Sequence, residues 1–296
     1  MAAAERQLRF DLQSHSTYSD GALEPAQVVE IAAGSGVELM ALTDHDTIEG
    51  VPEAIAAGSE HGIEVVPAVE ISSIDLDGPA PRELHILGYR IDHGAPEVQA
   101  RLADFVDDRR RRTLRMADAL REEGWVLDEE AIDKRVQQGR SIGRLHLAEG
   151  ALGRPENAER LREEGIDDVG DFIRGYLIEG KSAFRMRETP TVAEAVDMIH
   201  DAGGVAIWAH PFWDIEDPDD VRGTIDRFHA LGMDGVEVFY ISHTREQTDV
   251  ALERCDAHDM LTTGSADFHG PDNSLFSRFL AFDTFGHEAR LGAIAG

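Results

Sequence analysis

The sequence predicts an α/β fold in which parallel strands are covered by helices, as an open sheet or a closed barrel. Two observations predict it. Short apolar runs alternate with helix-like segments from residue 8 to residue 89, and the same alternation resumes near residue 190. Repeated strand–helix units of this kind imply parallel strands buried on both faces. In chain order, LRFDL (8–12) reads as the first strand and PAQVVEIAAGSG (25–36) as a helix ended by glycine. ELMALTD (38–44) is the second strand, TIEGVPEAIAAGSEHG (47–62) the second helix, and IEVVPAVEIS (63–72) and ELHILGY (83–89) two further strands. After the break, TVAEAVDMIHDAGG (191–204) is a helix, GVAIWAHP (204–211) a strand and DDVRGTIDRFHALG (219–232) a helix. MDGVEVFY (233–240), TREQTDVALERCDAHD (244–259) and MLTTGSADFHG (260–270) complete the series as strand, helix and strand.

The stretch between the two series, residues 95–188, is rich in Arg, Glu, Leu and Ala with helical periodicity and no strand signal. It reads as an inserted helical subdomain, with 1–94 and 189–296 forming the body it interrupts. Arg109 to Arg112 form a run of four arginines in this helical pattern and read as a solvated face.

Composition narrows the function classes. Hydrophobic residues make up 42% and charged residues 29%, ordinary for a globular protein. No apolar run approaches the roughly eighteen residues of a membrane span, and the N-terminal MAAAERQLRFDL lacks the pattern of a secretion signal. A cytoplasmic location is the expectation. The single cysteine, Cys255, forms no internal disulfide and reads as packing on a helix, which removes thiolate chemistry. Lys plus Arg total 28 against 58 Asp plus Glu, a formal charge of −30, and only Lys134 and Lys181 are lysines. Such an acidic, lysine-poor surface suits a halophilic, high-salt setting, where self-repulsion is screened. The net field also repels a long duplex nucleic acid, so an anionic substrate needs a local positive centre, which bound metal ions would supply.

Five of the thirteen histidines carry the chemical signal. His15, His45, His85, His210 and His269 each follow or end a predicted strand beside a carboxylate or a turn. In parallel βα folds the carboxyl ends of strands surround one face, so these histidines converge there with Asp20, Asp44, Glu70 and Asp267. Imidazole and carboxylate ligands without thiolates suit zinc, manganese or iron. The chain has no GxSxG elbow and no GxxxxGK[ST] phosphate loop, so no protein nucleophile or nucleotide-binding loop competes with this reading.

These residues lie in segments that resemble the polymerase and histidinol phosphatase (PHP) family of metal-dependent phosphoesterases. DLQSHSTYSDG (11–21) is similar to the family's D-L-H-x-H-T-x-x-S-D-G, ALTDHDT (41–47) matches almost residue for residue, and PAVEIS (67–72) is similar to P-G-V-E-I-S. HILGY (85–89), AHP (209–211) and GSADFHG (264–270) follow in the family's order. The resemblance implies a distorted seven-stranded (β/α) TIM-like barrel holding two to three divalent metal ions, Mn²⁺, Zn²⁺ or Fe²⁺, that activate water for attack on a phosphate ester. It implies His15, Glu70 and Asp267 at a first metal, Glu70, His85 and His210 at a second, and Asp20, His45 and His269 at a third. Asp44 is then expected to orient an imidazole. The family's first H-x-H reads Gln13-Ser14-His15 here, and the Gln13 oxygen is expected as a ligand for a hard cation.

Within the insert, SIGRLHLAEGAL (141–152) and IEGKSAF (178–184) resemble S-x-G-R-P-H-x-A-R-x-L and x-x-G-K-P-A-Y of the branch acting on nucleoside 3′,5′-bisphosphates or the 5′ ends of short RNA. Leu145 and Ser182 stand where that branch has proline. This resemblance implies a substrate-capping insert whose Arg144, His146 and Lys181 grip phosphate, with a small phosphorylated nucleotide or short RNA as the partner. His243, after the FYI strand end, is expected to donate to a phosphate or protonate a leaving group. A histidinol-phosphate phosphatase, a metal-dependent amidohydrolase and a non-catalytic metal-binding regulatory domain are the alternatives, the last because of Gln13.

Overall fold

Short apolar runs become strands here because helices bury them on one side and the barrel interior on the other. A computed structural model describes residues 9–187 and 190–296. In chain order the elements are β1 (Phe10–Asp11), α1 (Pro25–Gly34), β2 (Leu39–Leu42), α2 (Val51–His61), β3 (Glu64–Asp75) and β4 (Arg82–Tyr89). Five helices follow: α3 (Pro96–Glu122), α4 (Glu129–Gln137), α5 (Arg144–Leu152), α6 (Ala158–Glu164) and α7 (Val169–Phe172). The chain ends with α8 (Val192–Asp201), β5 (Val205–Trp208), α9 (Pro211–Asp214), α10 (Pro218–Ala230), β6 (Gly235–Tyr240), α11 (Arg245–Ala257) and β7 (Leu261–Ser265). Leu8 of the first expected strand and the expected domain boundary at 188/189 lie outside the described residues.

The seven strands form one sheet in sequence order, β1 to β7. Its two edges approach closure: the Leu12 amide donates to the Gly264 carbonyl at 3.2 Å, and Ser14 bridges Phe268 in parallel. The result is a TIM-like barrel, nearly closed. Its interior is filled by Leu12, Ala41, Val66, Leu87, Tyr89 and Ile207. Helix boundaries follow local chemistry. Thr191 and Thr244 open α8 and α11 with capping boxes completed by Glu194 and Gln247, and Gly62 closes α2 in the left-handed conformation.

One expectation is corrected. The sheet is not all parallel, because β4 runs antiparallel to both β3 and β5. Only residues 76–81 separate β3 from β4, too few for the crossover a parallel pair requires, so the two make a hairpin. His85 therefore lies inside β4, opposite Ser72, and not at a strand end. Since β4 runs the other way, its first half reaches the same barrel end as the carboxyl ends of its neighbours.

The chain divides into two compact units. One runs to Leu102 and resumes at Pro190; the other begins at Ala103. Within the second unit, the described residues form helices and no strand, around a core that includes Met116, Leu120, Trp125, Leu147, Phe172 and Leu177. Its arginine run is not uniformly solvated. Arg112 is buried, stacks over Phe184 at 5.6 Å and donates to the Arg185 carbonyl at 2.6 Å, whereas Arg110 is half-buried in a pair with Asp107 and Arg111 is exposed as expected. Among the described residues no helix is long and apolar enough to cross a membrane.

Candidate metal centre

The segment after β1 supplies the first donors. It turns sharply at Gly21, where a Cβ would sit 2.2 Å from the His15 carbonyl oxygen, so only glycine fits. The turn brings Asp20 Oδ1 to 3.5 Å from His15 Nδ1. Asp44, at the end of the β2 segment, clamps the same turn: it accepts from the Ser16 amide (2.7 Å), Ser16 Oγ (2.6 Å) and Ser19 Oγ (2.5 Å). Asp44 is expected to orient an imidazole. It does so only through Ser19, whose hydroxyl oxygen lies 3.4 Å from His15 Nδ1.

Glu70 is the hub. It sits mid-way along β3, buried, with His85 Nδ1 at 2.6 Å and His210 Nε2 at 3.3 Å from Oε1. On its other oxygen, His15 Nε2 lies at 3.0 Å and His45 Nδ1 at 3.7 Å. Burial alone would raise the Glu70 pKa, but His45 and His85 hold it well below the ordinary carboxylate range. It is an anion wrapped in imidazoles. Asp267 Oδ1 stands 3.1 Å from His15 Nε2, and His269 stacks on His15 with ring centroids 4.3 Å apart.

Three overlapping groups of donors lie close enough to share an ion, with atoms within 4.8 Å of one another: His15, Asp20 and His269; His15, His45 and Glu70; and Glu70, His85 and His210. The last is the trio the resemblance implies for the second metal. The other two divide the donors differently from the expectation, because His15 reaches both Asp20 and Glu70. The fit to divalent ions rests on the buried donors themselves. His15 Nε2 and Asp267 Oδ1 lie 3.1 Å apart without hydrogen-bonding geometry, and His210 Nδ1 is likewise left over among the described residues. Leftover buried donor atoms are costly unless a ligand completes them. Hard oxygen and borderline nitrogen donors, with no sulfur, suit a divalent cation.

Two donor positions carry backbone strain. His210 has φ 30° and ψ 58°, and Asp267 has φ 52°, both in the left-handed region that non-glycine residues enter at a cost of about 1–3 kcal/mol. Each is held there by a neighbour on β6. The His210 amide donates to Glu237 Oε2 at 3.0 Å, and the Tyr240 hydroxyl donates to Asp267 Oδ2 at 2.7 Å. Burial pushes the Glu237 pKa up to about 8, and the carboxyl serves as a hydrogen-bonding prop to the His210 amide and the Ser265 hydroxyl.

Gln13 differs from the sequence expectation. Its amide nitrogen donates to Glu70 Oε2 at 2.9 Å and its oxygen faces Ser265 Oγ at 3.3 Å. A carboxylate only accepts, so the nitrogen must face Glu70 and the oxygen must turn away from it. In this arrangement the Gln13 amide nitrogen, and not its oxygen, meets the hub. His243 lies behind Tyr240: it is buried, its Nδ1–H donates to the Val238 carbonyl at 2.9 Å, and burial pushes its pKa down to about 4. Arg144, His146 and Lys181 belong to the second unit. There Arg144 and His146 share the first turn of α5, His146 Nδ1 accepts from the Gly143 amide at 3.1 Å, and Lys181 is exposed.

Sequence reasoning missed Glu237, Tyr240, Asp214, Trp213 and Phe276. Asp214 Oδ2 stands 3.6 Å from His210 Nδ1, one helical turn on, and Trp213, Tyr240 and Phe276 line the same pocket as the histidines. Glu237 did leave a signal, as the one charge within the apolar run VEVFY.

Comparison with known proteins agrees with this geometry. The PHP domain matches residues 11–126. A 5′-3′ exoribonuclease of Haemophilus influenzae is 35% identical over 264 residues, 89% of this chain and 90% of the relative. A 3′,5′-nucleoside bisphosphate phosphatase of Chromobacterium violaceum is 31% identical over 88% of this chain and 87% of its own length. Among solved structures, a protein of Bifidobacterium adolescentis assigned as a metal-dependent phosphoesterase superposes with a TM-score of 0.75 at 26% identity, over 95% of this chain and 94% of that one.

Proposed function

This chain belongs to the PHP-domain family and is a metal-dependent phosphoesterase, and on that premise we propose that it hydrolyses phosphate esters of small nucleotides: nucleoside 3′,5′-bisphosphates or the 5′ ends of short RNA. The observation that carries the proposal is the convergence of His15, Asp20, His45, Glu70, His85, His210, Asp267 and His269 on one pocket, in a chain similar over nearly its whole length to an exoribonuclease and a bisphosphate phosphatase.

We assign two to three divalent ions to these donors, with Mn²⁺, Zn²⁺ and Fe²⁺ as the candidates. When bound, such ions supply Lewis-acid neutralisation of phosphoryl oxygens and acidify water towards neutral pH. The chain's own part is positioning. Glu70 is shared by two of the three donor groups and is kept ionised by His45 and His85. Gln13 fixes its orientation through Glu70 Oε2, and Tyr240 fixes Asp267. Asp44 holds the turn that carries His15 and Asp20. His243, neutral at pH 7, supports the Tyr240 ring in this assignment. Arg144, His146 and Lys181 are assigned to phosphate binding, Arg through its fork of donors and Lys as a point charge.

The test is phosphate release from adenosine 3′,5′-bisphosphate by metal-stripped protein refilled with Mn²⁺ in high salt, beside histidinol phosphate and a short 5′-phosphorylated RNA. Metal-dependent release from a nucleotide substrate, slowed by Arg144→Ala and Lys181→Ala through KM, is expected. Release from histidinol phosphate alone would overturn the nucleotide assignment.

A further inference from the structure

Beside the donor cluster the pocket wall changes character from charged to aromatic. Trp213, Tyr240 and Phe276 line it next to His210 and His269. Trp213 is 53% exposed, in contrast to the other two tryptophans, Trp125 at 2% and Trp208 at 0%. Its ring stands 5.6 Å from Phe276, inclined at 57°, and 6.3 Å from Tyr240, and Phe276 stands 5.2 Å from His269.

These rings are held in place by the ligand segments themselves. The Trp213 amide donates to the His210 carbonyl at 2.8 Å, so the ring is fixed one short turn from that imidazole. The His269 amide donates to the Phe276 carbonyl at 2.9 Å. Asn273 Oδ1 accepts from the amides of Leu275 (3.0 Å) and Phe276 (2.9 Å), which pins the loop carrying the second ring. Burying Trp213 against Tyr240 would have been the default for so large an apolar side chain. Half of it instead faces solvent on a preorganised wall, within reach of whatever occupies the donor cluster.

We infer that Trp213 and Phe276 form a stacking platform for the nucleobase of the substrate, whose phosphate lies at the donor cluster. The inference rests on the phosphoesterase reading proposed above and deepens it. A platform of this kind suits the chain's chemistry. With a formal charge of −30 the protein repels a polyanion at long range, whereas stacking on an aromatic face carries no net charge cost and does not weaken in salt. Because every base has a π-face, the platform selects nucleotides over other phosphate esters without strong preference among bases. An aromatic exposed at the rim, not a hydrogen-bonding pocket, is what that breadth requires.

The experiment compares 2′-deoxyadenosine 3′,5′-bisphosphate with 1,2-dideoxyribose 3,5-bisphosphate, a matched compound with no base, on the Mn²⁺-loaded full chain. Stacking one base is worth roughly tenfold when the ring is removed. The wild type is expected to favour the base-bearing compound by about that factor in kcat/KM, carried by KM. Trp213→Ala should bring the ratio of the two towards unity, and Trp213→Phe should keep most of it. The base-bearing compound should also quench tryptophan fluorescence saturably in the wild type, since Trp213 is the exposed ring, and not in Trp213→Phe. A wild-type ratio near one, or a ratio unmoved by Trp213→Ala, overturns the platform while leaving the phosphoesterase reading intact. If neither compound is hydrolysed, the bisphosphate reading fails on its own, and the quenching decides the platform: saturable quenching sustains it and none overturns it.

Discussion

Gln13→Glu separates two roles for Gln13 that the bare sequence leaves equivalent. The substitution is isosteric: it replaces the amide nitrogen that donates to Glu70 with a carboxylate oxygen at the same place, 2.9 Å away. If Gln13 is a donor to the hub, two anions now face each other in a buried site. At an effective dielectric of about 20 their repulsion is about 6 kcal/mol. A new carboxyl escapes such repulsion by keeping its proton, which lets it donate to Glu70 as the amide did. Holding a glutamic acid protonated at pH 7, against an ordinary value of about 4.3, costs about 4 kcal/mol, less than the repulsion, so that figure sets the destabilisation. The sign with pH follows. The folded-state pKa of the new group is raised, so the penalty is absent below about pH 4.3, is about 1 kcal/mol at pH 5 and grows as pH rises. Guanidinium unfolding of chelator-treated wild type and variant at pH 7 and pH 5 measures both values, and burial keeps salt from masking them. The opposite role makes the opposite prediction. If the residue at 13 offered its oxygen to a cation, a carboxylate would bind Mn²⁺ more tightly by calorimetry. A variant as stable as wild type at pH 7 with tighter Mn²⁺ binding would refute the donor role.

Three further outcomes follow from single contacts. Tyr240→Phe removes the hydroxyl that donates to Asp267, a bond to a charged group worth about 1.5–3 kcal/mol, and should weaken Mn²⁺ binding by calorimetry about tenfold or more. Gly21→Ala places a methyl 2.2 Å from the His15 carbonyl oxygen, a backbone atom that cannot swing aside, so thermal unfolding should fall by several degrees and Mn²⁺ binding should be lost with the turn. Cys255 is buried and its thiol is pushed up to about 12 by burial, so a disulfide reagent at pH 8 should leave the native protein unmodified and react stoichiometrically once the chain is unfolded.

How much of this was legible in the sequence depends on what each feature is made of. The strands and helices of the barrel were legible because burial imposes apolar runs and because threonine, proline and glycine mark helix ends. The direction of β4 was not, since ELHILGY carries the same apolar pattern whichever way it runs. Only the shortness of the 76–81 connection encodes it. Most of the histidines and acids meet at one barrel end, as strand ends in this fold do, but Glu70 and His85 reach it from within β3 and β4, and Asp44 serves the turn instead. Their division into donor groups was not readable, because it depends on where His15 points, and that is set by the Gly21 turn and by Asp44 acting through Ser19.

The pair of buried glutamates shows why the supporting layer resists reading from sequence. Glu70 in VEIS and Glu237 in VEVF are each a lone carboxylate in an apolar strand, and nothing in either run distinguishes them. Their surroundings push them in opposite directions. Glu70 faces four imidazoles and the Gln13 amide, so it stays ionised although buried. Glu237 accepts from the Ser265 hydroxyl and the His210 amide, and burial outweighs these and raises it to about 8. One is therefore an anion that a cation can use, and the other a buried prop that pins the strained backbone of His210.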